Sequence, residues 1–240
     1  MRILAFDTAT PATAVAVAEM GDAEEGRVAR AVERRDDPRP GARPNHTSRL
    51  LELIEDALGA ARIDWPELDR LAVGIGPGTF TGLRIGIATA QALARARGLA
   101  LVGVSTLQGL ALPAAEAQPG RDVLAVLDAR RGEVFAAGWP AGSQPGHDRP
   151  GLKPCVLAPA ALEQIASELA PGALAVGDGA IKFSQSLSRL GLLVPPEDSE
   201  LHRIKATTHC RLAAGASPGE PDAVRPEYLR QPDAEIARRT

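Results

Sequence analysis

The most constraining feature of the sequence is a glycine-rich turn that leads directly into a helix of small residues. An apolar run at 71–75 predicts a buried strand, the glycine–proline turn follows at 76–82, and a helical pattern continues to Arg97. Small residues recur there at every fourth position, at Gly82, Gly86, Ala90 and Ala94. Because residues four apart share one helix face, this face is almost bare and can approach another backbone closely.

The same turn also suits an anion site, because glycine-rich loops before a helix present unpaired N–H groups. The phosphate-binding loop of nucleoside triphosphatases requires Lys-Ser or Lys-Thr after its second glycine. In this chain Leu83 and Arg84 follow Gly82, which excludes that class of loop. The packing interpretation remains, and it requires a cover for the bare face, either the chain's own first helix or a partner protein.

Composition limits the classes of function. The aromatic fraction of 3% is too low for a platform that stacks nucleic-acid bases, and the net charge of −3 gives no general attraction to phosphate backbones. Cys155 and Cys210 are too few for a disulfide framework and are not spaced for a metal site, so we expect two reduced thiols. No window has the ~18 apolar residues of a membrane span, and no signal-peptide pattern follows Met1. We therefore expect a cytoplasmic protein.

The first half of the chain alternates strand and helix patterns. Strands are predicted at 3–6, 12–18, 28–34, 71–75 and 99–104, and helices at 45–58, at 82–97 and from Ser105 onward. Leucine and isoleucine side chains form one stripe of the first helix, and Gly59 is predicted to end it. Pro113 is predicted to kink or end the third helix.

The second half repeats this order in a shorter form. Strands are predicted at 123–127, 134–137, 153–157 and 173–176, with a helix at 159–169. Three strands, a helix and a strand thus occur twice, which indicates an internal duplication, although two hairpins can also align by chance. We predict an α/β protein with one lobe at 1–118 and a smaller lobe at 119–240, in which a helix at 206–214 precedes a loose tail.

Each half places an aspartate where its first strand ends and a hairpin turn begins. Ligands bind at the carboxyl ends of strands in open α/β sheets, and a carboxylate there can hold a hydrated cation beside a nucleotide phosphate. Two such hairpins form a nucleotide clamp, for which the candidate residues are Asp7, Thr8, Thr10, Asp128, Arg130 and Gly132. The alternative is that both aspartates accept hydrogen bonds from the backbone of their own turns. The sequence leaves both interpretations open.

No residue pattern marks a catalytic centre. His46 stands at the start of the first helix without a carboxylate or a second histidine at metal-ligand spacing. A lone histidine in such a position is more often a helix cap or a surface contact than a general base. We therefore predict no catalytic residue and no metal site.

Five motifs, in one order along the chain, carry a family resemblance. They are Phe6-Asp-Thr-Ala-Thr10, Gly76-Pro-Gly-Thr-Phe-Thr-Gly-Leu-Arg-Ile-Gly86, Gly103-Val-Ser-Thr-Leu107, Asp128-Ala-Arg-Arg-Gly-Glu-Val134 and Pro226-Glu-Tyr-Leu-Arg230. With them the chain resembles the TsaB (YeaZ) family of the bacterial tRNA threonylcarbamoyladenosine pathway over nearly its whole length. It departs from that family at Thr79 and Phe135, where serine and tyrosine are frequent.

The resemblance implies a two-lobed fold of the actin-like ATPase superfamily (ASKHA, ribonuclease H-like). It implies a non-catalytic subunit that binds and activates TsaD, the related protein that transfers a threonylcarbamoyl group to the adenosine next to the tRNA anticodon. The ATPase TsaE is a further implied partner, the chain alone is expected to form a homodimer, and tRNA is contacted mainly through the complex. No cofactor is required, and any ATP or ADP with Mg²⁺ is expected to bind only weakly, in the cleft between the lobes or at the partner interface.

The resemblance also assigns the partner contact to two helices, at 46–58 and 82–97. The contact residues that it implies are His46, Leu50, Ile54, Gly82, Gly86 and Ala90. Two other classes of function remain alternatives. One is a stand-alone nucleotide-dependent enzyme that uses Asp7 and Asp128, and the other is the peptidase activity sometimes attached to the wider family.

Overall fold

The computed structural model describes residues 1–21, 27–39 and 42–230. Unit 1 comprises Met1–Thr106 and Ile204–Glu227, and unit 2 comprises Leu107–Arg203 and the chain from Tyr228 onward. The strands are β1 (Arg2–Asp7), β2 (Thr13–Met20), β3 (Val28–Asp36), β4 (Arg70–Gly76), β5 (Ala100–Ser105), β6 (Val123–Arg130), β7 (Glu133–Trp139), β8 (Leu152–Leu157) and β9 (Leu174–Val176). The helices are α1 (His46–Ala61), α2 (Phe80–Arg97), α3 (Thr106–Ala117), α4 (Pro159–Glu168), α5 (Asp178–Lys182), α6 (Ser184–Arg189) and α7 (Ala206–Gly215). Across these described ranges, no helix has the length and apolar character needed to cross a membrane.

Unit 1 is built on a five-stranded sheet in the order β3-β2-β1-β4-β5. β1, β2 and β3 are antiparallel neighbours, whereas β4 runs parallel to both β1 and β5. The central strands are nearly unbroken apolar runs, as expected for strands that are covered on both faces. Helices α1 and α2 cover one face, and α7 covers the other.

The two faces of this sheet differ in the size of their side chains. The face under α1 and α2 carries large residues such as Leu4 and Phe6. The opposite face carries mainly alanines, and α7 packs on it through Ala206, Cys210 and Ala213. Small side chains on both surfaces bring the backbone of α7 close to the sheet.

Unit 2 repeats the first four strands of unit 1. Its sheet has the order β8-β7-β6-β9, with β6, β7 and β8 antiparallel and β9 parallel to β6. Helix α4 connects β8 to β9, as α1 connects β3 to β4. The predicted duplicated α/β fold with a reduced second half is therefore confirmed. The short helices α5 and α6 are not predicted from the sequence, because neither is long enough to show a helical period.

Residues 204–227 belong to unit 1, although they follow unit 2 in the sequence. This differs from the predicted lobes at both boundaries, since the prediction assigns 1–118 to the first lobe and the whole of 119–240 to the second, whereas unit 2 already begins at Leu107. Glu33 of β3 accepts hydrogen bonds from the backbone N–H groups of Ala206 and Thr207, and so supplies the acceptor that the start of α7 lacks locally. A contact with a distant strand thus fixes this helix.

The segment after α7 is also held against unit 1. Gln91 of α2 donates its side-chain N–H groups to the carbonyls of Pro221 and Val224, at 3.1 and 3.0 Å. The Glu227 N–H donates to the Ile75 carbonyl over 2.7 Å. The part of the predicted loose tail that precedes Tyr228 is therefore ordered by tertiary hydrogen bonds, while residues 231–240 lie outside the described part of the chain.

Two helix boundaries differ from the prediction. Helix α1 continues past Gly59 to Ala61, because Arg62 takes the left-handed conformation (φ 57°) and its N–H bonds to carbonyls of the last turn. Pro113 lies inside α3 and does not end it.

Candidate functional site

The carboxyl end of β1 carries a fully buried aspartate. Asp7 is 1% exposed. Its Oδ2 lies 3.0 Å from Nε2 of His209 on α7, and the Thr106 hydroxyl donates to the same oxygen over 3.2 Å. The other oxygen, Oδ1, accepts the Ala9 N–H over 2.7 Å. Groups of unit 1 therefore occupy both oxygens of the carboxylate.

The surroundings of Asp7 are shaped to hold this side chain. A Cβ atom at Gly74 of β4 would lie 1.9 Å from Asp7 Oδ2, so the neighbouring strand has room for the carboxylate only because it carries glycine there. His209 is itself 0% exposed, and its Nδ1 has no hydrogen-bond partner among the described residues. The buried pair therefore depends on three segments that are far apart in the sequence.

The pKa of Asp7 reflects these contacts. Burial raises the pKa, but the hydrogen bond and the charge of His209 lower it, as do the Ala9 N–H and the Thr106 hydroxyl. The net result is a pKa below the ordinary value of 3.8. Asp7 is therefore an ionised carboxylate inside unit 1 at neutral pH.

We expect unit 1 to lose stability in acid because of Asp7. The pKa of this carboxyl group is lower in the folded chain than in the unfolded chain, where it is about 3.9. Such a group stabilises the folded state, and the stabilisation is complete at pH values above the unfolded pKa. That stabilisation is lost as the pH falls through the folded pKa. Denaturant unfolding at a series of pH values below about 5 gives the unfolding free energy as a function of pH. The slope of this dependence should be smaller for Asp7→Asn than for the unchanged chain. Equal slopes in the two proteins would contradict this expectation.

The threonines that follow β1 do not form an open phosphate site with Asp7. Thr8 is 0% exposed, and its hydroxyl donates to the Gly82 carbonyl over 2.8 Å. The predicted nucleotide roles of Asp7 and Thr8 are therefore corrected, because contacts within unit 1 use their polar groups. Thr10 is half-buried, and its role stays a prediction.

The matching aspartate of unit 2 lies in a more open environment. The Asp128 side chain is 15% exposed, and its Oδ1 accepts hydrogen bonds from Lys182 Nζ and from the Arg130 N–H, at 2.8 and 2.9 Å. Asp178, at the start of α5, accepts the Asp128 N–H over 2.9 Å. Arg130 and Gly132 both take left-handed conformations in the turn between β6 and β7. The structure therefore brings the predicted residues of unit 2 together, with Lys182 paired to the carboxylate.

Asp178 is a polar residue of this cluster that the sequence analysis misses. Burial raises the pKa of its carboxyl, and so does the charge of Asp128, although the backbone N–H groups of Asp128 and Gly179 lower it in part. The signal that points to it is a Gly-Asp-Gly sequence at 177–179, directly after β9 at the carboxyl end of the strand. Within the described parts of the chain, no three His, Cys, Asp or Glu side chains are grouped to hold a metal ion.

The six predicted partner-contact residues of α1 and α2 all lie buried in unit 1. They are His46, Leu50, Ile54, Gly82, Gly86 and Ala90. His46 Nδ1 lies 2.7 Å from Thr13 Oγ1 of β2, so this histidine attaches the start of α1 to the sheet. The predicted contact role of these six positions is corrected, because their side chains face the core of the chain itself.

The bare face of α2 is covered by the residues that follow β1. A Cβ atom at Gly82 would lie 1.9 Å from the Thr8 carbonyl oxygen, and one at Gly86 would lie 2.4 Å from Thr8 Oγ1. The packing interpretation of the small-residue stripe therefore holds, but the cover is neither the first helix nor a partner.

The opposite faces of α1 and α2 carry a second set of apolar and small residues. On α2, Ala88 and Ala92 are exposed and Ile85 is partly exposed, and their i, i+3 and i+7 spacing aligns them in one stripe. On α1, Leu51 is 51% exposed, the highest value among the large apolar side chains that the structure describes. Helices α1 and α2 contact each other. We name Leu51, Ile85, Ala88 and Ala92 the outer face.

Comparison with known proteins gives a consistent family. The family model described as TsaD, tRNA N6-adenosine threonylcarbamoyltransferase, matches residues 38–194, more than half of the chain. The chain is 42% identical over 137 residues to the tRNA threonylcarbamoyladenosine biosynthesis protein TsaB of Escherichia coli, in an alignment that covers 57% of this chain and 54% of that protein. The chain thus spans about half the length of the TsaB relatives that it matches.

Two further similarities extend over nearly the full length. An uncharacterized protein of Mycobacterium tuberculosis is 32% identical over 233 residues, which cover 97% of this chain and 93% of that protein. The solved structure of YeaZ from Pseudomonas aeruginosa is 28% identical, with a TM-score of 0.71, and the match covers 95% of this chain and 99% of that chain.

Proposed function

The chain belongs to the TsaB (YeaZ) family, and from this premise we propose that it is the non-catalytic subunit that binds and activates a TsaD-type transferase in tRNA threonylcarbamoyladenosine biosynthesis. The transferase carries out the transfer of the threonylcarbamoyl group to the adenosine of tRNA, and this chain positions it. The observation that carries the proposal is the outer face of these two contacting helices, with exposed Leu51 on α1 and the small-residue stripe Ile85, Ala88 and Ala92 on α2.

Such a face suits the packing of a second helix. Alanines at Ala88 and Ala92 allow close approach of a partner backbone, and Leu51 and Ile85 supply apolar area that is stabilised when it leaves water. Helix α2 has 18 residues and is therefore about 27 Å long, which gives a partner helix several turns of contact.

The proposed non-catalytic role is supported by the use of polar groups inside unit 1. Asp7 and Thr8 hold the chain's own His209 and Gly82, so neither is available to a substrate. We accordingly propose that the chain needs no cofactor, that it works in the cytoplasm, and that TsaE and tRNA are met in the assembled complex. When the transferase is absent, the outer face is proposed to pair with a second copy of the chain.

Replacing Ala88 by arginine is expected to weaken assembly without unfolding the chain. The side chain at position 88 is exposed, so arginine is accommodated in the free protein, but it holds a partner helix away from α2. We expect the affinity for a TsaD-type transferase to fall by at least about 10-fold, which corresponds to about 1.4 kcal/mol. Titration calorimetry with the purified transferase measures the change.

Ala160→Arg is the matched control for this experiment. Ala160 is also an exposed alanine of a helix, but it lies on α4 in unit 2. The Ala160→Arg variant should bind the transferase with the affinity of the unchanged chain. Both variants should also be compared in a tRNA modification assay with and without the chain. Equal affinity of Ala88→Arg and Ala160→Arg would show that the outer face is not the interface.

A stand-alone nucleotide-dependent enzyme is the alternative from another class. The Asp128 cluster in unit 2 supports this alternative, because the Asp128 carboxylate is partly exposed and so accessible to a ligand. Calorimetry with ATP and Mg²⁺ separates the two functions. Tight binding together with turnover that Asp128→Ala removes would favour the enzyme and contradict the proposal of a cofactor-free subunit.

The peptidase alternative has less support. The pattern Gly-x-Ser-x-Gly occurs at 215–219, but it begins at Gly215, the last residue of α7, whereas a nucleophile elbow joins a strand to a helix. Within the described residues, the hydrogen bonds of histidine side chains go to other residues and none goes to Ser217. Peptide hydrolysis that survives repurification and disappears in Ser217→Ala would restore this alternative.

A further inference from the structure

One part of unit 1 is strongly positive. Residues 27–49 contain seven arginines and no lysine, against the three acidic residues Glu33, Asp36 and Asp37, which gives this stretch a net charge of +4. Because the whole chain carries −3, the other residues together carry −7. Such an asymmetry of charge within one chain is a feature of proteins that contact a polyanion.

The fold gathers five of these seven arginines at one corner, whereas Arg27 and Arg30 lie at the other end of β3. β3 ends at Asp36, and α1 begins at His46. Arg49, in the first turn of α1, has its Nε 3.8 Å from Asp36 Oδ1, so the two ends of the connecting loop meet. The described residues at the end of β3, on either side of residues 40–41 in this loop, and at the start of α1 therefore share one corner of unit 1. We define the basic corner as Arg34, Arg35, Arg39, Arg43 and Arg49.

Only part of this charge is neutralised within the chain. Both carboxylate oxygens of Asp37 lie 2.8 Å from Arg35 Nε and accept its hydrogen, and Arg49 is paired with Asp36 and Glu52. Arg34 is half-buried and donates to the Glu33 carbonyl. Arg39 and Arg43 are exposed. As far as the chain is described, Arg34, Arg39 and Arg43 have no carboxylate within ion-pair distance. Three positive charges are thus open to an external anion.

We propose that the basic corner binds the phosphate backbone of RNA. The guanidinium group matches two phosphate oxygens at once, and contact with a nucleic-acid backbone requires positive charge alone. An acidic protein partner fits less well, because a protein interface needs apolar anchors at its centre. The loop between β3 and α1 has none: its residues are Asp, Pro, Gly, Ala, Asn and arginine. The inference rests on the proposed function, in which the RNA is the tRNA that the complex modifies.

The test uses the complex of this chain with a TsaD-type transferase and fluorescently labelled tRNA. Arg39→Gln/Arg43→Gln removes two exposed charges from the loop. We expect the tRNA dissociation constant to rise about 10-fold near 0.1 M salt, and the slope of log affinity against log salt to fall by about 1.5, since each phosphate contact contributes about 0.7–0.9. Anisotropy titrations at several salt concentrations measure both quantities.

Arg149→Gln/Arg189→Gln is the matched control, because it removes the same charge from two exposed arginines of unit 2. It should leave both the affinity and the slope at the values of the unchanged complex. Complex formation is measured separately by sedimentation. Failure of the unchanged chain to form a complex counts against the proposed function. An intact complex whose salt slope is the same in all three proteins overturns the basic corner, and so does an arginine variant that loses the transferase rather than the tRNA.

Discussion

Replacing Asp7 by alanine is expected to destabilise unit 1 by about 3–5 kcal/mol, because it removes one partner of a buried, hydrogen-bonded pair. His209 Nε2, the Thr106 hydroxyl and the Ala9 N–H all lose the oxygen that they contact. His209 and Thr106 are fully buried, so water cannot replace that oxygen without opening the structure. The expected loss exceeds that of any surface ion pair in the chain.

The chain provides both a reporter and a control for this measurement. It has two tryptophans, of which Trp65 lies in unit 1 and Trp139 in unit 2. In a Trp139→Phe background, urea unfolding followed by tryptophan fluorescence reports on unit 1.

Asp128→Ala is the matched change in unit 2. The ion pair of Asp128 with Lys182 is partly exposed, so we expect this change to cost only about 0–1 kcal/mol when unit 2 is followed through Trp139. Equal losses of unfolding free energy for Asp7→Ala and Asp128→Ala would show that the buried pair contributes no more to stability than the exposed ion pair. A double-mutant cycle of Asp7→Asn with His209→Gln then isolates the pairwise contribution.

Gly82→Ala is expected to destabilise unit 1 by about 2–3 kcal/mol through overpacking. The added Cβ would lie 1.9 Å from the Thr8 carbonyl oxygen, and a backbone atom cannot turn aside as the end of a side chain can. Helix α2 must therefore move away from β1, which also strains the hydrogen bond between the Thr8 hydroxyl and the Gly82 carbonyl.

Gly59→Ala is the control for this change, because it makes the same substitution in the exposed last turn of α1, where nothing lies within 4 Å of the added atom. It should stabilise the chain by about 0.5–1 kcal/mol, since alanine has less freedom to lose than glycine. Urea unfolding of both variants gives the comparison. Tolerance of alanine at Gly82 equal to that at Gly59 would refute the close approach of α2 to the sheet.

The position of Gly82 and Gly86 also decides how an interface experiment must be designed. A bulky residue at Gly86 is expected to weaken partner binding, but only because it displaces α2 from its packed position against Thr8 and the sheet. Such a result does not identify a contact residue. Ala88→Arg does, since its side chain points away from the core.

The order of strands and helices could be predicted because each element has its own local signal. Apolar runs ending at Asp7 and Asp128 mark the first strand of each sheet, and the stripe of leucines marks α1. Repetition of that order in the second half was sufficient to predict the duplicated α/β fold.

Which face of α2 is buried could not be predicted, because both faces carry small residues. Gly82, Gly86 and Ala90 form one stripe, and Ala88 with Ala92 forms another. Both stripes follow the same helical periodicity, so the pattern of small and apolar residues does not indicate which stripe packs on the sheet. The fit against Thr8 decides it, since only a glycine can lie so close to that carbonyl.

The sequence by itself determined the elements, their repetition and the two aspartates at strand ends, since these depend on the preferences of a few neighbouring residues. Only the tertiary structure decided what the aspartates do. His209 is 202 residues from Asp7 and yet contacts its carboxylate in the core, while Lys182 pairs with Asp128 in a more open cluster. Equivalent local patterns thus acquire different chemistry, because burial and charge pairing depend on segments that the packing brings together.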